Sequence, residues 1–214
     1  MILITEFMDE AAVNLLKKKY DVYYDSSLFE DPNSLIKKML KMKALIVRNK
    51  TLVTRELIEN APNLKCVGRL GVGLDNIDLN ACKEQNIAVY PALGANSHSV
   101  AEYVICTSML LLRKAYFKKN EMIAGNWPRQ ESSGSEVYGK TLGFIGFGDI
   151  ARKTRDLAIG LGINTVAYDP YLDKDSNVWK DTKNLDLDNL LSISDIISLH
   201  IPLTEETKNL LNEN

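Results

Sequence analysis

Cysteine is scarce in this sequence. The three present, Cys66, Cys82 and Cys106, are odd in number and widely spaced. That pattern argues against a disulfide framework or a zinc site and suits buried thiols in a reducing compartment, so a cytoplasmic location is expected. Net charge is nearly absent as well. At −2, the chain offers no excess of cations to a nucleic acid or an anionic membrane surface, and neither is expected as a partner. Long hydrophobic runs are missing: the longest lies in Val104 to Leu112, far short of the ~20 residues needed to span a bilayer. No basic segment opens the chain, and Met1-Ile-Leu-Ile-Thr-Glu6 reads as a first strand, not a signal peptide. Internal repeats and low-complexity stretches are absent too. Histidine is limited to His98 and His200, and no arginine follows Arg155. What remains, with 45% hydrophobic and 25% charged residues, is the composition of a soluble globular protein with room for one large or two small domains. Small-molecule chemistry is the class of function left open.

What the chain does contain is alternation. Short β-rich runs at Ile2 to Thr5, Val22 to Tyr24, Ala44 to Val47, Lys65 to Gly68 and Ala88 to Tyr90 are separated by helical periodicity. The helices are expected around Glu10 to Lys18, Ser34 to Lys41, Arg55 to Asn60 and Leu79 to Gln85, several preceded by a capping Asp, Asn or Thr. This predicts a first α/β domain over residues 1–95. A long linking helix follows Asn96, where Ser99-Val-Ala-Glu102 has capping-box spacing and Val100, Val104, Met109 and Leu112 recur at helical intervals. An irregular loop from Gly125 to Gly134 leads into a second α/β run. Its strands are Leu142 to Ile145, Thr165 to Tyr168 and Ile196 to Leu199, with helices at Ile150 to Gly160, Leu187 to Leu191 and Glu205 to Leu211. The whole predicts an α/β fold with parallel sheets and a second domain over 96–214.

The second run opens on the most informative stretch, Thr141-Leu-Gly-Phe-Ile-Gly-Phe-Gly-Asp-Ile-Ala-Arg152. It passes from an apolar strand into a helix through a GxGxxA turn. Gly146 permits the tight turn, Gly148 lets backbone N–H groups approach a pyrophosphate, and Ala151 lets helix and strand pack closely. The anion is expected at the helix N-terminus, where unpaired N–H groups and the dipole favour it. About 20 residues on, the next strand ends in Tyr168-Asp-Pro170, which places the Asp169 carboxylate where a ribose 2′-OH belongs. A glycine-rich turn without a ligand is the bland alternative; strand, helix, spacing and acidic strand end together favour a dinucleotide. Asp169 also selects the cofactor: a 2′-phosphate about 4 Å away costs around 4 kcal/mol at an effective dielectric of 20. Pro170-Tyr-Leu-Asp173 brings no cation to offset it, so NAD is expected over NADP.

These features join three others: Gly68-Arg-Leu-Gly-Val-Gly-Leu-Asp-Asn-Ile-Asp78, Asn96-Ser-His-Ser-Val-Ala-Glu102 and Ser198-Leu-His-Ile-Pro-Leu-Thr204. In this order and spacing, across nearly the whole chain, they resemble the D-isomer-specific 2-hydroxyacid dehydrogenases. The nearest branch is that of phosphoglycerate dehydrogenase and the hydroxypyruvate or glyoxylate reductases. The resemblance implies a flavodoxin-like substrate or lid domain over 1–95 and a Rossmann-type NAD-binding domain from residue 96, with NAD in the cleft between them. It implies an NAD-dependent oxidoreductase that interconverts small 2-hydroxy and 2-oxo acids, and a homodimer. The backbone of Gly71, Val72 and Gly73 would hold the substrate carboxylate, Val72 also lying near the nicotinamide. The glycine pattern suits an anion-binding concavity, with an ordinary turn as the alternative. Arg48 and Arg69 stand where cations help hold larger anionic substrates, though a solvated strand-end arginine is the plainer reading of each. Asp149 and Ile150 match positions beside the pyrophosphate, and His200, Ile201 and Pro202 match the strand end along the cofactor. Trp127 lies in a loop resembling the family's dimer contact, a solitary buried tryptophan being the alternative.

Hydride transfer to a 2-oxo acid also needs a cation on the carbonyl and an acid for the developing alkoxide. The family supplies these from an Ala-Arg-Gly turn, a glutamate and a histidine that have no counterpart here. His98 reads as a surface residue and His200 as a structural or cofactor contact, so no catalytic residue is expected within the chain. A full nucleotide domain has six strands in the order 3-2-1-4-5-6, of which this sequence supplies the first half and its crossover. Ile196 to Leu199 is therefore expected to keep an unpaired edge. The chain reads as a fragment that binds NAD weakly at most and turns over nothing. An alternative of another class is an NAD-sensing scaffold on the same fold, as in the corepressors that resemble these dehydrogenases.

Overall fold

In a computed structural model that describes residues 1–212, the chain divides into two compact units, Met1–Ala95 and the residues from Asn96 onward. The first contains β1 (Ile2–Ile4), α1 (Glu10–Lys17), β2 (Val22–Tyr24), α2 (Pro32–Met39), β3 (Ala44–Val47), α3 (Arg55–Glu59), β4 (Cys66–Arg69), α4 (Leu79–Glu84) and β5 (Ala88–Pro91). All pairings are parallel, in the order β2-β1-β3-β4-β5, which is the flavodoxin-like order. Leu3, Leu45, Val47 and Val67 are fully buried in its core. Each helix starts where a short polar side chain accepts from its first turn: Asp9 from Ala11 and Ala12, Asp31 from Ser34, Thr54 from Leu57, Asp78 from Ala81. The second of these begins at Pro32, two residues before the expected Ser34, because Asp31 caps it and proline suits the first helical position.

The second unit contains α5 (Ser97–Arg113), a 3-10 turn at Ala115–Lys118, α6 (Lys119–Ile123), β6 (Thr141–Ile145), α7 (Asp149–Gly160), β7 (Asn164–Tyr168), β8 (Lys183–Asn184), α8 (Leu187–Ile193) and β9 (Ile196–Leu199). Its sheet is parallel, in the order β8-β7-β6-β9, which is the 3-2-1-4 portion of a doubly wound nucleotide-binding sheet. Among the described residues β9 pairs only with β6, and Ile197 and Leu199 are exposed, so the expected open edge is present.

Several local expectations fail for identifiable reasons. Ser99 and Glu102 form no capping box: α5 begins at Ser97 after Asn96, with no side-chain cap, and both residues are exposed within the helix. The buried face of α5 is Ser97, Ala101 and Ser108, not the stripe through Val100 and Met109. It packs against α7, where small residues allow close approach; the buried Ser108 hydroxyl donates to the Val104 carbonyl at 2.7 Å. No helix forms over Glu205 to Leu211, which is a run of turns. Thr207 Oγ1 donates to the Pro202 carbonyl at 2.6 Å and accepts from the Thr204 N–H at 2.8 Å, and such local side-chain bonds compete with a helical ladder. Cys82 is buried but Cys106 is exposed, and all three cysteines are free. Trp127 is 76% exposed, which removes the buried-tryptophan alternative. Among the described residues no helix is long and apolar enough to cross a membrane.

Candidate functional site

In the second unit the glycine turn joins β6 to α7. Gly146 has φ +85, and a Cβ there would lie 2.7 Å from the His200 carbonyl oxygen, so the close approach of the β9 end enforces glycine. A Cβ on Gly148 would point into open space, leaving its backbone accessible to a ligand. The first turn of α7 has no side-chain cap, so its N–H groups remain available to an anion. Ala151 is fully buried beneath them. The Asp169 carboxylate closes over the turn, Oδ2 accepting from the Phe147 N–H at 2.8 Å and Oδ1 from the Tyr171 N–H at 3.0 Å. A cavity of about 720 Å³ gathers Gly146, Gly148, Asp169, His200, Ile201 and Pro202. Asp149 and Ile150 do not line it. The Asp149 carboxylate accepts from Lys153 at 2.6 Å, a bond that holds its carboxyl below the usual range.

His200 lies against the Phe144 ring, with its Nε2 3.0 Å from Ser198 Oγ. Burial pushes the imidazole below its ordinary range, which keeps it neutral near pH 7. It is suited to line a cofactor and not to carry a charge. Behind the turn lies a cluster that sequence reasoning missed. Phe147 stacks on Trp179 at 5.1 Å, with the buried Arg155 guanidinium 5.6 Å from the Phe147 ring and bonded to the Val178 carbonyl at 2.9 Å. These residues pack beneath the turn, and because Trp179 lies well beyond the motif, nothing local in the sequence marked them.

The first unit brings Arg48, Arg69, Gly71, Val72 and Gly73 to one end of its sheet. Val47 and Arg69 are register partners on β3 and β4, so Arg48 and Arg69 lie at adjacent strand ends. The Arg69 guanidinium folds over the glycine loop, in the space that a Cβ at Gly71 would occupy, and its Nε is buried without a partner among the described residues. The Gly71 N–H is already used, donating to the Arg69 carbonyl at 2.8 Å. Among the described residues no acceptor faces the N–H groups of Val72 or Gly73. The loop leads into Asn76, whose Nδ2 donates to the Thr51 carbonyl at 2.8 Å; no helix begins until Leu79. It therefore lacks the helix terminus that a dinucleotide turn requires.

Glu6 organises the loop after β3 and was not anticipated from the sequence. Its Oε1 accepts from Arg48 and Thr51 at 2.8 and 2.9 Å, and its Oε2 from Asn49 and Lys50 at 3.1 and 2.9 Å. Burial alone would raise its carboxyl, but these four N–H groups outweigh burial and hold the pKa at about 2. The only sequence signal was an acid at the end of an apolar strand.

Fold and turn together define a two-unit α/β protein with a dinucleotide-type strand-to-helix turn. The chain belongs to the D-isomer specific 2-hydroxyacid dehydrogenases, whose catalytic-domain family model matches residues 2–211. It is 47% identical over 211 residues to the (S)-sulfolactate dehydrogenase of Chromohalobacter salexigens, covering 98% of this chain and 68% of that protein. It is 36% identical over 211 residues to the D-3-phosphoglycerate dehydrogenase of Archaeoglobus fulgidus, covering 98% of this chain and 40% of that one. Among solved structures it is similar to an NAD-dependent formate dehydrogenase from Staphylococcus aureus in complex with NAD, with a TM-score of 0.83 and 30% identity, covering 98% of this chain and 68% of the other. The chain thus spans about two thirds of the sulfolactate enzyme and well under half of the phosphoglycerate enzyme.

Proposed function

We propose that the chain is the substrate domain and the cofactor-binding half of an NAD-dependent oxidoreductase that interconverts small 2-hydroxy and 2-oxo acids by hydride transfer. The observation that carries this reading is the glycine turn closed over by Asp169, with a 720 Å³ cavity at the uncapped start of α7. Gly146 and Gly148 take the pyrophosphate with the backbone of Asp149 and Ile150, whose residues stand at the uncapped start of α7 outside the cavity lining. Asp169 takes the ribose, and His200, Ile201 and Pro202 lie along the cofactor. Residues 1–95 act as the lid. Val72 and Gly73 offer backbone N–H groups to the substrate carboxylate, with Gly71 shaping the loop. Arg48 and Arg69 suit a substrate with a second anionic group, in keeping with relatives named for sulfolactate and phosphoglycerate. Hydroxypyruvate and glyoxylate are the simpler members of the same class.

These 214 residues are proposed to bind cofactor without turnover, since His98 is exposed and His200 is held neutral and partly buried. A cytoplasmic setting fits the three free cysteines. A homodimer fits the exposed apolar side chains of Tyr116, Phe117, Ile123 and Trp127. The test is calorimetry with NAD and NADP on the wild type and on Asp169→Ala, with NADH oxidation by hydroxypyruvate, glyoxylate and sulfopyruvate in the same preparation. NAD binding that weakens at least tenfold in the variant is expected, from loss of a buried ribose hydrogen bond to a charged group. Failure of the folded wild type to bind either dinucleotide would sink the cofactor reading, and turnover by these residues alone would sink the division of labour.

A further inference from the structure

Tyr171 and Glu206 are brought together from the loops that follow β7 and β9. Tyr171 Oη donates a 2.6 Å hydrogen bond to Glu206 Oε2, and both residues line the cavity that also holds Gly146, Gly148 and Asp169. The pair is tied into the glycine turn through Asp169, which accepts from the Phe147 N–H with one oxygen and from the Tyr171 N–H with the other. One bonded path therefore runs from the turn, through Asp169 and Tyr171, to Glu206. Glu206 is steadied from its other side as well. The neighbouring Thr207 hydroxyl is bonded to the Pro202 carbonyl and the Thr204 N–H, so the carboxylate stands on a pinned loop.

The charges around this cavity are one-sided. Asp169, Glu205 and Glu206 line it, and among the described residues no lysine or arginine does; His200 adds no positive charge, because burial disfavours its protonation. Nothing in the lining can neutralise an added phosphate, and Asp169 is not the only carboxylate that such a phosphate would meet. We propose that Glu206, positioned by Tyr171, is a second specificity-determining carboxylate at the adenosine end of the cavity, discriminating against a cofactor that carries a 2′-phosphate. The inference rests on the reading of this cavity as a dinucleotide site and adds to it a residue outside the glycine motif and its acidic strand end. An exposed tyrosine–carboxylate tie contributes little to stability, so its substitution isolates the effect on the ligand.

The experiment measures dissociation constants for NAD and NADP, by calorimetry or quenching of tryptophan fluorescence, on the full chain as wild type, Glu206→Gln and Tyr171→Phe. Far-UV circular dichroism and thermal unfolding verify that each variant is folded. Glu206→Gln is expected to improve NADP relative to NAD by about fivefold or more at low salt, and the gain is expected to shrink as ionic strength rises, since it comes from a screened charge. Tyr171→Phe frees the carboxylate without removing it and is expected to shift the ratio in the same direction by a smaller factor. An unchanged ratio in a Glu206→Gln chain that still binds NAD overturns the role of Glu206 and leaves the cofactor site standing. A gain that does not respond to salt also overturns it, because the effect is then one of shape. If the folded wild type binds neither dinucleotide, the cofactor site and this proposal fall together.

Discussion

At the scale of single residues, Glu6 is the most consequential side chain that no motif marks. Its four N–H partners, Arg48 to Thr51, lie 42 to 45 residues downstream, so its role is set by the parallel neighbour strand and is invisible to any local pattern. A folded-state pKa of about 2 against an ordinary 4.5 corresponds to a contribution of about 3 kcal/mol at neutral pH. The sign follows from the depressed value. The contribution is fully present above pH 4.5, fades as pH falls through the interval down to about 2, and is gone once the carboxylate is protonated in both states. Glu6→Gln replaces one acceptor oxygen with an amide that confronts N–H groups, so urea denaturation at pH 7 is expected to show a loss of about 2–4 kcal/mol. Near pH 3 the gap between variant and wild type should narrow. A gap independent of pH would mean that the four bonds do not depend on the charge. Because the same loop carries Arg48, the variant is also expected to loosen that arginine without affecting dinucleotide binding in the other unit.

Among whole elements, legibility followed the kind of force that makes each one. The strands β2 and β3 coincide with the runs Val22 to Tyr24 and Ala44 to Val47. β-branched, aromatic and apolar residues between turn signals mark a parallel strand directly, whether half-exposed at the sheet edge, as β2 is, or alternately buried, as β3 is. β8 is only Lys183–Asn184; two polar residues at a sheet edge carry no such mark, and the strand exists because β7 offers it a backbone ladder. The glycine turn was readable because its constraint is chemical, whereas Tyr171 and Glu206 meet only through the fold. The long helix α5 was readable as a helix and misread as to its face. Hydrophobic periodicity pointed to Val100 and Met109, but contact with α7 selected Ser97, Ala101 and Ser108. That distinction is measurable. Ala101 is fully buried, so Ala101→Leu overpacks the α5–α7 contact and is expected to cost about 1–3 kcal/mol by chemical denaturation. Ser99→Ala is expected to be neutral within about 0.5 kcal/mol, since no capping bond is made there; a loss of about 1 kcal/mol would reinstate the capping box.

The whole molecule presents two kinds of unsatisfied surface, and they predict different assemblies. The edge of β9 that is open among the described residues, with Ile197 and Leu199 exposed, carries backbone groups that can accept a further strand. Pairing of β9 with a different edge, such as β8 of another copy, does not close on itself and yields open-ended association, whereas two β9 edges paired about a two-fold stop at a dimer. The second surface runs through Tyr116, Phe117, Ile123 and Trp127, with exposures of 70%, 64%, 74% and 76%. Four large apolar side chains exposed within twelve residues are what the proposed homodimer would bury, and a two-fold contact between identical patches stops at two copies. Sedimentation velocity over a range of concentrations separates the two cases. A discrete dimer that dissociates in Ile123→Asp, with NAD affinity unchanged, assigns the contact to the α6 surface. Open-ended association that Leu199→Lys suppresses and Ile123→Asp leaves alone assigns it to the β9 edge, and the homodimer proposal then fails. Both behaviours in one preparation are expected to separate cleanly, because the dimer should persist in Leu199→Lys while the larger species disappear.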